Sequence, residues 1–149
     1  MDIYERLTMD HDTQREIAKK LADTTGDSSE RRELFEEFKL ELEAHANAEE
    51  QTLYAALIEK PEGQEKARHS IAEHKDAADL LDELEEIDMS TGAWLLKFKV
   101  LHHEVTHHLQ EEEQEVFVLA RKLIVPLKAV ALTGEFDERK VKEISAMIP

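Results

Sequence analysis

His45-Ala46-Asn47-Ala48-Glu49 and His108-Leu109-Gln110-Glu111-Glu112 share one pattern, a histidine followed four residues later by a glutamate. On an α-helix that offset is about one turn, so imidazole and carboxylate project from the same face. An inward-facing nitrogen and oxygen so placed can hold a metal ion. The likeness extends outward from both stretches. Phe35, Phe38, Leu42, His45, Glu49, Leu53 and Ala56 are matched, 63 positions on, by Phe98, Leu101, Val105, His108, Glu112, Val116 and Leu119. Steps of three and four are those of a bundle helix facing its neighbours. Both His/Glu pairs therefore lie within apolar stripes, where a charged carboxylate is costly unless paired, hydrogen-bonded or bound to metal.

The rest of the chain supports long helices. Only 4 glycines and 3 prolines occur in 149 residues, a length that fits one domain with a substantial core. Residues 2–22 place Tyr4, Leu7, His11, Gln14, Ala18 and Leu21 on one stripe, which predicts a first helix ending before Thr24-Thr25-Gly26. Asp27, with Glu30 three residues on, has the form of a capping box for a second helix over 28–59. A third helix over 64–87 carries Ala67, Ile71, His74, Ala78, Leu81 and Leu84. Ser90 or Thr91 caps a fourth over 92–124, which Pro126 disturbs, and Phe136–Met147 can form a short fifth. The expected fold is all-α: an antiparallel up-down-up-down four-helix bundle with a short C-terminal extra helix, residues 126–149 being an extension packed on the bundle.

Composition narrows the function classes. A formal charge of −16 argues against nucleic acid and anionic membranes as partners. The absence of cysteine excludes disulfides, thiolate zinc sites and iron–sulfur clusters. The N-terminus lacks the features of a secretory leader, and no apolar run approaches the roughly 20 residues of a membrane helix, so a cytoplasmic location is expected.

Each of the four stripes holds one histidine: His11, His45, His74 and His108. With Glu49 and Glu112 they suit a dinuclear site in which each metal takes two histidines and the glutamates bridge. Such a set leaves room for an oxo or hydroxo bridge and an exogenous ligand. Two iron ions are the expected cofactor, with manganese and zinc as competitors.

One histidine on the first helix, His-x-x-x-Glu on the second, one histidine on the third and His-x-x-x-Glu on the fourth resembles the hemerythrin-like (HHE cation-binding) family, over about residues 5–125. The stretches from His45 to Tyr54 and from His107 to Phe117 are similar to it as well. The resemblance implies a hemerythrin-like bundle over residues 1–125 with a non-haem di-iron centre, His11, His45, His74 and His108 as terminal ligands, and Glu49 and Glu112 as bridges. Oxygen-carrying hemerythrins have a second histidine one turn after the first on the third helix, where this chain has Ala78. A more open centre is then expected.

The expected role is binding or sensing of dioxygen, nitric oxide, peroxide or iron, with signalling or redox work passed to a separate partner protein. Two alternatives stay open: an enzyme that decomposes peroxide or reduces nitric oxide, and a metal-free or zinc-stabilised interaction protein. Among the other histidines, His107 is the rival to His108, five residues from Glu112 and about 100° from His108 around the helix. His69, His102 and His103 fall off the stripes. Glu41 and Glu104 read as solvated, Tyr4 and Tyr54 as core, and the run Glu111–Glu115 as surface except for Glu112.

Overall fold

The computed structural model describes residues 1–148. Helix α1, Ile3–Ala22, starts from a capping box. The Asp2 side chain accepts from the Glu5 amide, and the Glu5 carboxylate accepts from the Asp2 amide. All six residues of its expected stripe are buried. The next cap differs from expectation. Ser28, in an extended conformation, accepts from the Arg31 amide, while Asp27 pairs with Arg32. The turn before it uses Gly26 at φ 60°, a backbone conformation glycine adopts without steric cost.

Helix α2 spans 29–58 and α4 spans 92–123, and each is interrupted by one wider turn. Ser29–Glu49 and Ala55–Ile58 are α-helical, and Glu50–Tyr54 between them is π-helical. In α4, Gly92–Glu111 and Phe117–Leu123 flank a π-helical Glu112–Val116. A π turn accommodates one extra residue. The apolar stripe therefore slips by one position, so Leu57 and Ala120 are buried while Ala56 and Leu119 are only half-buried. It also turns Tyr54 and Phe117 inward, where both are buried.

Helix α3 is Gln64–Glu85 and follows the short turn at Pro61–Gly63. Its ends bury Ala67, Ser70, Leu81 and Leu84, but Ile71, His74 and Ala78 are half-buried because a cavity opens beside them. Thr91, not Ser90, occupies the cap position of α4.

The C-terminal helix, α5, is longer than expected, Pro126–Met147. The chain is extended at Ile124 and Val125, and Pro126 then takes the first helical position, where its missing amide needs no partner. Gly134 continues that helix. Ala129, Leu132 and Phe136 form the buried face of α5, which packs on α1 and α2.

Two apolar clusters fill the interior. One gathers Ile3, Leu7, Leu53, Tyr54, Phe117 and Phe136, among others. The other contains Phe35, Phe38, Leu81, Leu84, Trp94 and Phe98. Histidines and carboxylates of all four bundle helices form a separate polar cluster in the interior, buried except for the half-buried His74 and His108. Phe98 stacks on Trp94 at 5.6 Å and meets Phe38 edge-on at 5.9 Å. Phe98→Ala is expected to cost about 3–5 kcal/mol of unfolding free energy in urea denaturation; a loss under about 1 kcal/mol would show that this cluster repacks.

Candidate metal centre

The six residues singled out by the pattern come together. One ligand atom from each of His11, His45, Glu49 and Glu112 lies within 4.8 Å of the others, and the same holds for Glu49, His74, His108 and Glu112. The two groups share both glutamates. Glu49 and Glu112 are fully buried, His11 and His45 are buried, and His74 and His108 are slightly open.

The orientation of each imidazole is fixed from behind. His45 Nδ1 is 2.8 Å from Asp10 Oδ2, and His11 Nδ1 is 2.6 Å from Glu113 Oε2. His74 Nδ1 is 2.8 Å from Glu50 Oε2, and His108 Nδ1 is 2.7 Å from Glu73 Oε1. With Nδ1–H donated to a carboxylate, the Nε2 lone pair is left for a metal, the usual arrangement of a metal-binding histidine. All four Nε2 atoms face Glu49 or Glu112, at 3.0 Å for His11, 3.7 Å for His45, 3.2 Å for His74 and 3.3 Å for His108.

The centre also contains the kind of atoms a cation satisfies. His11 Nε2, His45 Nε2, both Glu49 oxygens and Glu112 Oε1 are buried without a hydrogen-bond partner. Unpaired buried polar atoms are scarce in folded proteins because each carries an uncompensated desolvation penalty. Five in one spot, all metal-ligating types, fit a bound cation.

The supporting carboxylates extend the 63-residue repeat to α1 and α3. Asp10-His11 corresponds to Glu73-His74, and Glu49-Glu50 to Glu112-Glu113. The residue before each lone histidine orients the histidine of a His-x-x-x-Glu pair. The residue after each central glutamate orients a lone histidine. Glu113 and Glu50 were hidden in acidic runs, and only alignment of the two halves at this offset picks them out.

Several expectations are corrected. Glu41 is not solvated: its carboxylate meets Lys140 at 2.9 Å, and Lys140 also reaches Asp10 Oδ2 at 2.9 Å. Burial alone would raise Asp10, but hydrogen bonds from His45, Arg6 and Lys140 outweigh it and hold the carboxyl well below its usual range. Tyr54 is more than core, since its hydroxyl donates to Glu112 Oε2. His107 does not replace His108, for it is 65% exposed and faces Glu111 instead. Glu104 and His103 are exposed, as expected.

The centre is closed on one side and open on the other. Phe136 of α5 meets the His45 ring edge-on at 5.6 Å, and Phe117 stacks on His11 at 5.9 Å. Beside His74 and His108 lies a cavity of about 720 Å³, bordered by Leu42, Ile71, Ala78 and Val105.

The family model described as the hemerythrin HHE cation binding domain matches residues 2–120. The chain belongs to the hemerythrin HHE cation-binding family. A solved structure, that of a hemerythrin HHE cation binding domain-containing protein from Mycobacterium kansasii, is similar with a TM-score of 0.88 and 22% sequence identity, covering 98% of this chain and 89% of that one. No curated protein matches the chain. The domain is a binder of metal cations, and this HHE chain carries a buried His/Glu cluster able to hold them. Among the described residues no helix is long and apolar enough to cross a membrane.

Two outcomes follow from this geometry. His108→Ala is expected to lose at least one metal per chain by elemental analysis while His103→Ala loses none; equal losses would contradict the assignment of faces on α4. The second concerns the chelated protein. Burial lowers the affinity of these imidazoles for protons, but Glu112 and Glu113 raise His11 to about 9, Glu49 and Glu50 raise His74 to about 9, and Glu112 and Glu73 raise His108 to about 10. These values exceed the ordinary 6.5, so the stability they confer is fully present below about pH 6.5 and is lost as pH rises through 9 to 10. Melting temperature of the chelated chain is expected to fall across that window, and a flat calorimetric profile would refute the pairing.

Proposed function

We propose that this HHE protein is a non-haem di-iron protein that binds dioxygen or a related small ligand, nitric oxide or peroxide, at the face of the centre open to the cavity. The observation that carries the reading is the set of four imidazoles, each with Nδ1 on a carboxylate and Nε2 directed at Glu49 or Glu112. His11 and His45 would hold one ion and His74 and His108 the other, with Glu49 and Glu112 shared. Nitrogen donors combined with carboxylates suit iron, with manganese and zinc as the competing ions. Bound iron would supply an open coordination position and a redox couple. The protein supplies a shell of Tyr54, Phe117 and Phe136 that limits water on the closed side.

Ala78 supports the choice of ligand exchange over long-term storage. It lies four residues after His74 and borders the cavity, where it places only a methyl group beside the His74 and His108 side. Any signal would pass to a separate redox or signalling partner.

A second reading, decomposition of peroxide at the same centre, is favoured by Tyr54. Burial first, and then the charges of Glu112 and Glu49, push its hydroxyl well above the ordinary value of 10. It therefore keeps its proton at neutral pH and can hold it at Oη against Glu112. Peroxide-dependent turnover that falls at least roughly tenfold in Tyr54→Phe, with metal content unchanged, would select the enzyme reading.

The reading is checked by elemental analysis with an absorption spectrum of the same air-exposed sample. Near two irons per chain, with charge-transfer bands in the near ultraviolet, is the expected result. No iron, or a single zinc, would overturn it. Ala78→His is expected to slow exchange of nitric oxide or azide measured by stopped-flow absorption. Unchanged rates would show that the opening at Ala78 does not control access.

A further inference from the structure

The two halves of the bundle repeat each other at an offset of 63 residues, and their outer faces differ in one respect. In the first half Asp10 accepts from His45 Nδ1, and two cations meet its remaining charge: Arg6 at 2.7 Å and Lys140, supplied by α5, at 2.9 Å. Glu73 stands at the corresponding place in the second half and accepts from His108 Nδ1 through Oε1. The position of Arg6 is taken by His69, and α5 packs on α1 and α2, away from this side. Among the described residues no lysine or arginine pairs with Glu73 or with its neighbour Glu111.

Imidazoles gather there instead. His69 Nε2 lies 3.0 Å from Glu111 Oε1 and 3.4 Å from Glu73 Oε2. His107 Nε2 lies 3.2 Å from Glu111 Oε2. One ligand atom from each of His69, Glu73 and Glu111 falls within 4.8 Å of the others. Glu73 thus offers Oε2 outward while Oε1 is engaged with His108. That group of three brings one borderline nitrogen and two carboxylates together, and His107, on the other Glu111 oxygen and outside the group, is a second imidazole at its edge. These donor types suit a first-row divalent ion such as zinc, ferrous iron or manganese. His69 and His107 are 56% and 65% exposed, so an ion held there would exchange with solvent.

We propose that His69, Glu73, Glu111 and His107, between α3 and α4, form an outer site for a divalent transition-metal ion, one carboxylate away from His108. The cation occupies the role that Lys140 and Arg6 fill on the opposite half. This assignment stands on the outer residues alone and holds whichever metal fills the inner centre.

The test is a calorimetric zinc titration of the protein purified with its resident metal. Wild type is expected to take up one zinc that His69→Ala and His107→Ala bind roughly tenfold more weakly or worse, with inner metal content and absorption spectrum the same in all three. His103→Ala, which alters an exposed histidine on the same helix, is expected to bind as wild type does. Equal zinc binding by wild type and His69→Ala would overturn the proposal. So would loss of binding in His103→Ala with retention in His69→Ala, which would place the ion on the His103/His107 face of α4. Absence of iron from wild type would count against the di-iron reading only and would leave the difference between wild type and His69→Ala intact.

Discussion

Two carboxylates at the centre of an apolar bundle set the terms for the rest of this molecule. Glu49 and Glu112 are fully buried, and no lysine or arginine reaches either among the described residues. An isolated ionised carboxylate in such a place would be strongly unfavourable. The fold surrounds the pair with four imidazoles, one from each bundle helix, and each imidazole is backed by a further carboxylate. Positive charge, whether protons on the histidines or bound cations, is then what makes this interior tenable. In this chain each of the four bundle helices contributes one nitrogen to that layer.

The symmetry of the arrangement comes from an internal repeat, and its two sides differ where the repeat is broken. Asp10, His11, His45, Glu49 and Glu50 map onto Glu73, His74, His108, Glu112 and Glu113. The π turns after Glu49 and around Glu112 are part of the same repeat. Each slips the buried face by one residue, which lets adjacent glutamates serve different histidines. In that repeat Tyr54 corresponds to Phe117. Only the tyrosine can donate a hydrogen bond, and it does so to Glu112. The hydroxyl thus distinguishes two otherwise equivalent glutamates.

Helix α5 makes the second asymmetry. It packs Phe136 edge-on against His45 and pairs Lys140 with Asp10, so the charge of Asp10 is balanced in the first half. The second half has no such cover. A cavity opens beside His74 and His108, and the outer carboxylates Glu73 and Glu111 are left to histidines. One end of the chain thereby covers one side of the centre and leaves the other beside the cavity.

Much of this was legible in the linear pattern. Helical period and breaker placement gave the four bundle helices to within a few residues, because apolar spacing is a local property. The six central histidines and glutamates stood out because they interrupt stripes that are otherwise apolar. The supporting residues did not. Glu50, Glu73 and Glu113 lie in acidic surroundings where a solvated carboxylate and a partner of histidine look alike, and only the packing of one helix on another tells them apart. The start of α5 at Pro126, its docking on α1 and α2, and the capture of Asp10 and Glu41 by Lys140 depend on contacts across more than ninety residues of chain. The sequence by itself determined the four bundle helices and the inward direction of the six central histidines and glutamates, since both follow from periodicity, while the π turns moved the stripe beyond them. Tertiary structure alone decided which carboxylate holds which imidazole and which face of the centre stays open, since both depend on how separate helices meet.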